Sequence, residues 1–494
     1  MPSASRFVPQ CYRDSVSLMQ LSRRFSGRPG ITWASAQMGT AANLSLLKEA
    51  GVLTDLPGPR PEDLLLVLVG EGDLEALLEE AEREVRAPPS SPGPAGKSAG
   101  AEPSSVREAV RADPSLDLAL ISVPGDYAAG EALKALAAGL DVMLFSDNVS
   151  LEDEVLLKIE ARRRGRLLMG PDCGSAILDG TPLGFANAVR RGPVGVVSAS
   201  GTGLQEVTSL LDRWGLGTSQ AYGTGGRDLH EEVGGLAALS SIERLVLDPN
   251  TRCLLFLSKP PSPSVRDRLA VRFRTLPFPA VACFLGEDTT LEEAAREAYR
   301  RVLGVDPPRE ALPAPAPLKD RSPRPTGYLR GLYSGGTLCA EAAWLCARAG
   351  LRTSSNVGAP GVLPLRNAWE SQGHTFVDLG EDEFTRGRPH PMIDPSLRLS
   401  RLALEAERPD TFRILLDVVL GHGAHPDPAG PLAAAVLALA PGGGGTVPEV
   451  WACVTGTEKD PQGFSKSVGT LSEAGIRCFG SNASMTAEAL RTLP

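Results

Sequence analysis

The segment PVGVVSASGTGLQEV, residues 193–207, reads as a strand, a glycine turn and the start of a helix in immediate succession. PVGVV is a continuous apolar run without alternation, the pattern of a strand covered on both faces of a parallel sheet. SASGTG breaks it with small hydroxyl residues and glycines, and LQEV resumes with residues that suit a helix. The plan returns at RGLYSGGTLCAEAAWL, residues 330–345. In a doubly wound sheet such turns lie at the carboxyl ends of the strands, where a helix presents unpaired N–H groups and a positive dipole end.

Outward from these two segments, short apolar runs recur: DLLLVLV (63–69), DLALISV (117–123), DVMLFS (141–146), CLLFLS (253–258), AVACFLG (280–286), ILLDVVLG (414–421) and VWACVTG (450–456). Helical stretches separate most of them, for example EALKALAAG before DVMLFS and LEDEVLLKIEARRRG after it. This rhythm predicts an α/β chain of parallel sheets. Two segments rich in Pro, Ala, Ser and Gly, 87–105 and 305–327, read as a disordered insert and a linker, and PGGGG (441–445) as a surface loop. The predicted domains are therefore 1–187, carrying the insert at 87–105, then 188–304, the linker 305–327, and 328–494.

Composition narrows the function classes. Fifty Lys and Arg against 59 Asp and Glu give a net charge of −9, and no basic stripe with interleaved aromatics is present, so nucleic acid is not an expected partner. No apolar run approaches the roughly 18 residues of a spanning helix, and the start MPSASRFVPQCYRDSVSLM has no leader pattern. A cytoplasmic protein, free of the membrane, is expected. The 8 cysteines form no CxxC pair and no cluster at zinc spacing, which predicts free thiols and no metal.

The candidate site residues follow from the turns. Ser198, Ser200, Gly201, Thr202 and Gly203 can hold an anion without a lysine, by close backbone approach and hydroxyl donors, or they form an ordinary capped turn. Ser334, Gly335, Gly336 and Thr337, ahead of a helix bearing Glu341, repeat the device. Gly225 and Gly226 precede Arg227, whose guanidinium can clamp a carboxylate or phosphate, or join a solvated ion pair. In Arg386-Gly387-Arg388-Pro389-His390-Pro391-Met392-Ile393-Asp394-Pro395, two prolines stiffen the loop around one histidine. His390 and Arg388 there suit a dianionic ligand, a proton shuttle or a phosphoryl acceptor, and the alternative is a rigid surface loop. Asp417, His422, His425 and Asp427 read as a strand-end loop, and Lys259 as a strand-end lysine that can reach a phosphate or stay solvated.

The order MGPDCG (169–174), GVVSASGTGLQE (195–206) and GTGGRDL (223–229) resembles the α subunit of succinyl-CoA synthetase. YSGGTLCAE, DLG (378–380), LLDVVLGHGAHPDP and VTGTEKDP (454–461) resemble the carboxy-terminal domain of that enzyme's β subunit. With SDNVSLEDEVLLK, LSKPP and GRPHPMIDP the chain resembles the FdrA proteins of this superfamily across nearly its whole length. The resemblance implies a Rossmann-like, CoA-binding-type N-terminal domain followed by two flavodoxin-like domains of synthetase type. It also implies acyl-CoA synthetase or oxamate carbamoyltransferase activity, the latter in allantoin degradation, within a hetero-oligomer formed with neighbouring gene products.

The departures from the synthetase pattern set the order of expectation. The region that should carry a phosphorylated histidine, ACFLGEDTTLEEAAREAYRRVLG (282–304), has none. Where a glycine turn should admit the CoA pyrophosphate, CYRDSVS (11–17) places side chains. Nothing resembles the nucleotide-grasping domain. The expected reaction is therefore transfer of a carbamoyl group between phosphate and oxamate, with loops holding phosphate and arginines the carboxylate. No cofactor is fixed, and CoA or a nucleotide enters only under the runner-up, a succinate-CoA ligase-type synthetase. A non-catalytic scaffold for neighbouring gene products is the third expectation.

Overall fold

The computed structural model describes residues 2–11, 13, 15–40, 43–44, 47, 60, 62–87, 103–317, 322–386, 388–439 and 446–494. Most of the predicted insert, part of the linker, the PGGGG loop and Gly387 lie outside the described residues. The fold divides into two compact units, Met1–Ala112 with Asp382–Asp394, and Asp113–Glu381 with Pro395–Pro494.

In the first unit, strands Ser3–Val8, Leu64–Gly70 and Ile31–Met38 form an antiparallel sheet with Leu64–Gly70 in the middle. The central strand is apolar throughout because both of its faces are covered. Leu64, Leu66 and Leu68 pack with Leu18, Leu21, Phe25 and Leu78, whereas Leu65 and Val67 pack with Leu47 on the other side. Helix Leu74–Arg86 starts on an Asp73 cap and buries Leu74, Leu78, Ala81 and Val85, one face at helical spacing. The segment 382–394 joins this unit, and Arg23 donates to the Ile393 carbonyl at 3.2 Å. The parallel, Rossmann-like layer expected from residue 1 thus begins at Leu118. An unbroken apolar run predicts double-sided burial, which an antiparallel strand in the centre of a sheet achieves equally well.

The second unit contains three layers of mainly parallel strands and matches the α/β expectation. Leu118–Ile121, Asp141–Leu144 and Leu168–Met169 form a small sheet in chain order. Next comes a six-stranded sheet in the order Ala280–Phe284, Cys253–Ser258, Arg191–Ser198, Thr218–Gly223, Ser175–Leu178 and Thr181–Gly184. Its first four strands are parallel, and the last two form an antiparallel hairpin. The third sheet has seven parallel strands, with Tyr328–Tyr333 between His374–Asp378 and Thr411–Val419. From Arg191–Ser198 the chain builds first to one side and then to the other, and from Tyr328–Tyr333 it does the same. Both glycine turns therefore follow the strand at which the winding reverses, the place where such sheets open a crevice. Among the described residues no helix is long and apolar enough to cross a membrane. All 8 cysteines are buried and unpaired.

Candidate functional site

The two glycine turns meet. After strand Arg191–Ser198, Ser200 caps helix Gly201–Arg213, its Oγ accepting from Gly203 N at 2.9 Å. The Ser198 hydroxyl is used inside the turn, accepting from Ser200 N at 3.0 Å and donating to the Ser200 carbonyl at 2.7 Å. Ser200 Oγ also meets Thr337 Oγ1 of the opposite turn. Gly335 stands where any Cβ would come within 2.6 Å of Thr202 Cγ2, and Gly203 faces Thr337 Cγ2 at 3.3 Å in the same sense. Close approach of two chain segments, rather than unusual backbone angles, requires these glycines.

The second turn is anchored from below. Ser334 donates to Asp417 Oδ1 from both its N–H and its hydroxyl, each at 2.9 Å, and Arg398 holds the same carboxylate at 2.8 Å. Asp417 and Arg398 are both buried. Burial raises the Asp417 carboxyl above its usual range against the pull of Arg398, and it lowers the Arg398 guanidinium. Helix Gly336–Arg348 has no side-chain cap. Among the described residues the N–H groups of Gly201 and Thr202 in one helix, and of Gly336, Thr337 and Leu338 in the other, have no hydrogen-bond acceptor. Two helix N-termini with unpaired donors, touching through Ser200 and Thr337, form an arrangement suited to a multiply charged oxyanion.

Of the residues expected at the site, Ser198, Ser200, Gly201, Thr202, Gly203, Ser334, Gly335, Gly336 and Thr337 are gathered here. Gly225, Gly226 and Arg227 are placed otherwise. Gly225 packs on the MGPDCG turn, and Arg227 binds Glu154 at 2.9 Å and the Val149 carbonyl at 2.8 Å. Beside it Lys158 is buried between Glu154 (2.7 Å) and Asp228 (2.9 Å), and Asp228 accepts from the N–H groups of Ala237 and Ala238. His390 and Arg388 belong to the first unit, where His390 Nδ1 accepts from Met392 N at 3.2 Å and its carbonyl from Ile393 N and Asp394 N.

The structure adds residues that sequence reasoning had passed over. Asp378, at the end of strand His374–Asp378, lies beside Gly336, and a Cβ there would stand 2.7 Å from its Oδ2. The sequence signal was the DLG turn, read only as part of a resemblance. Arg398 carried no signal, because a helical arginine normally reads as solvated. Around the two helices, paired glutamates tie the domains together. Glu206 accepts from Asn482 N at 3.0 Å and from the Thr455 hydroxyl. Glu341 accepts from Leu291 N and from Asn482 Nδ2, each at 2.8 Å. Burial pushes both carboxyls up to about 7.

The reversal-point strands of two parallel sheets end in opposed glycine turns, and the second of these turns lies within residues 332–492, which match the family described as CoA-ligase. The chain as a whole belongs to the family of YahF from Escherichia coli (strain K12), with 39% identity over 490 residues, 95% of this chain and 94% of that protein. Residues 1–102 match a family described as "AllF, heavy metal-associated domain". The α subunit of succinate–CoA ligase (ADP-forming) from Aquifex aeolicus is 32% identical over 160 residues, 31% of this chain, and the chain spans about half (51%) of that subunit. A dinucleotide-forming acetyl-coenzyme A synthetase 1 from Ca. Korarchaeum cryptofilum shares 16% identity over 76% of this chain and 82% of its own, at a TM-score of 0.29, too distant a likeness to bear on the site.

The residues present do not fit the heavy metal in the second family's description. Cys11 is the one cysteine of residues 1–112, and its buried Sγ faces the Val85 carbonyl at 3.8 Å. A soft metal ion needs several thiolate or imidazole ligands. Among the described residues no group of three or more His, Cys, Asp or Glu gathers to supply them.

Proposed function

We propose that this chain is an FdrA-like subunit of an oxamate carbamoyltransferase, interconverting oxalurate and phosphate with oxamate and carbamoyl phosphate in allantoin degradation. The observation that carries this reading is the pair of opposed helix N-termini with unpaired N–H groups at Gly201, Thr202, Gly336, Thr337 and Leu338. Such donors suit a phosphate bound without covalent attachment. The neighbouring loop Gly286–Thr290, with Gly286 against Pro360, offers no histidine to be phosphorylated. The match of residues 1–102 to a family named for AllF agrees with this reading. The chain works in the cytoplasm, with the products of neighbouring genes completing the complex.

The second reading is an acyl-CoA synthetase of the succinate–CoA ligase type. It is favoured by the CoA-ligase match at 332–492 and by the likeness to succinate–CoA ligase α subunits. Phosphorus NMR of the protein with its neighbouring gene products, carbamoyl phosphate and oxamate separates the two. Oxamate-dependent loss of carbamoyl phosphate, beyond spontaneous decay and without nucleotide or CoA, is expected. Turnover only after ATP, CoA and succinate are added would replace the first reading by the second.

A further inference from the structure

Asp378 is only 4% exposed, and its position is fixed by its backbone. Asn356 grips it on both sides, Nδ2 donating to the Asp378 carbonyl and Oδ1 accepting from its N–H, each at 2.8 Å. Oδ1 accepts from Gly380 N at 2.9 Å. Oδ2 has no hydrogen-bond partner among the described residues and is directed at the first turn of helix Gly336–Arg348, whose N–H groups are also unpaired. An oxygen of a largely buried carboxyl that has no protein partner is available to a ligand that accepts a proton from it or shares one. Lys259 follows strand Cys253–Ser258 in the facing domain, exposed and without an ion pair or hydrogen bond among the described residues, and its charge favours the ionised form of Asp378.

We infer that Asp378 is the proton-exchanging acid of an oxyanion site at the Gly336 turn, and that Lys259 is its cationic flank. The assignment deepens the transferase reading and, for its chemical step, rests on it. As phosphorolysis proceeds, a phosphate oxygen bonds to the carbamoyl carbon of oxalurate. The bond from that carbon to the oxamate nitrogen breaks, its electron pair staying on nitrogen. Asp378 gives that nitrogen its proton, and the proton lost by the phosphate as carbamoyl phosphate forms returns to Asp378. The environment suits the role: burial, helped by Glu381 on the same loop and Asp417 on strand Thr411–Val419, pushes the carboxyl up to about 7, while Gly380 N–H and Lys259 oppose. Cys339 of the Gly336 helix, also facing it, is buried and held neutral. A group poised near neutrality can both give and take a proton.

Sulfate, tetrahedral and non-titrating near neutral pH, tests the site apart from the reaction. Calorimetry on the full chain should show sulfate affinity falling about tenfold per pH unit above the midpoint, because the neutral acid donates and its anion repels. Asp378→Asn should bind sulfate without that slope, and Lys259→Ala should bind more weakly with the slope retained and its midpoint moved up. A flat wild-type profile, a slope surviving in Asp378→Asn, or no sulfate uptake would overturn the assignment. In the phosphorus NMR assay Asp378→Asn should lose about a hundredfold in rate. A variant as fast as wild type would overturn the assignment but leave the transferase reading standing. A wild type showing the sulfate slope yet turning over neither oxalurate nor oxamate would remove that reading and leave the acid in place.

Discussion

Gly335 is a glycine because of what stands opposite it, Thr202 of another domain, within 2.6 Å of any Cβ. Gly335→Val should part the two turns and abolish turnover in the phosphorus NMR assay, without disturbing the assembly proposed with neighbouring gene products. Unchanged partner activity in that variant would instead favour a scaffold. Beneath the same turn, Arg398 and Asp417 form an ion pair 3% and 0% exposed at their side chains. Removing one member strands the other in a medium that cannot solvate it, so Arg398→Ala should cost about 3 to 5 kcal/mol. Urea unfolding against the wild type measures that loss. A loss below about 1 kcal/mol would mean that the pair is hydrated in solution.

At the scale of elements, Ser200→Ala removes the cap of helix Gly201–Arg213 and should lower stability by about 1 kcal/mol, seen as a lower Tm. The strands were the most legible part of the sequence. CLLFLS at 253–258 coincides with strand Cys253–Ser258, and VWACVTG at 450–456 falls almost wholly within Glu449–Thr455. Runs without alternation occur where both faces are covered, and six of the seven strands in the third sheet lie at least partly buried among neighbours. DLLLVLV was legible as a buried strand but not as an antiparallel one, because coverage of both faces leaves the same signature whichever way the partners run. The glycine turns were legible as anion loops. That they would face each other was not, since Ser200 and Thr337 are 137 residues apart and nothing local encodes their meeting. Arg227 illustrates the converse: local sequence offered an exposed clamp, while the fold supplied Glu154 as its partner.

Across the second unit as a whole, Glu206 and Glu341 set a pH dependence. In the unfolded chain a glutamate titrates near its ordinary value of 4.5, and in the fold both are held up to about 7. The folded form therefore binds more protons between these values, and the contribution to stability is full below the lower value and lost as pH rises through the upper one. Glu206→Gln can keep both hydrogen bonds, accepting from Asn482 N and donating to Thr455. Its urea midpoint should gain on the wild type from about pH 5 to about pH 8, and parallel curves would show that Glu206 does not titrate there. The same two residues have a further meaning. Glu206, on helix Gly201–Arg213, closes the start of helix Asn482–Arg491, while Glu341, on helix Gly336–Arg348, closes the start of helix Leu291–Leu303. Each domain thus finishes a helix that belongs to the other. Pieces so keyed should find one another in trans, and a chain severed within 305–317 should reassemble from its halves as a split reporter does. The peptide between them then serves stoichiometry, guaranteeing that every copy of one half is made with one copy of the other.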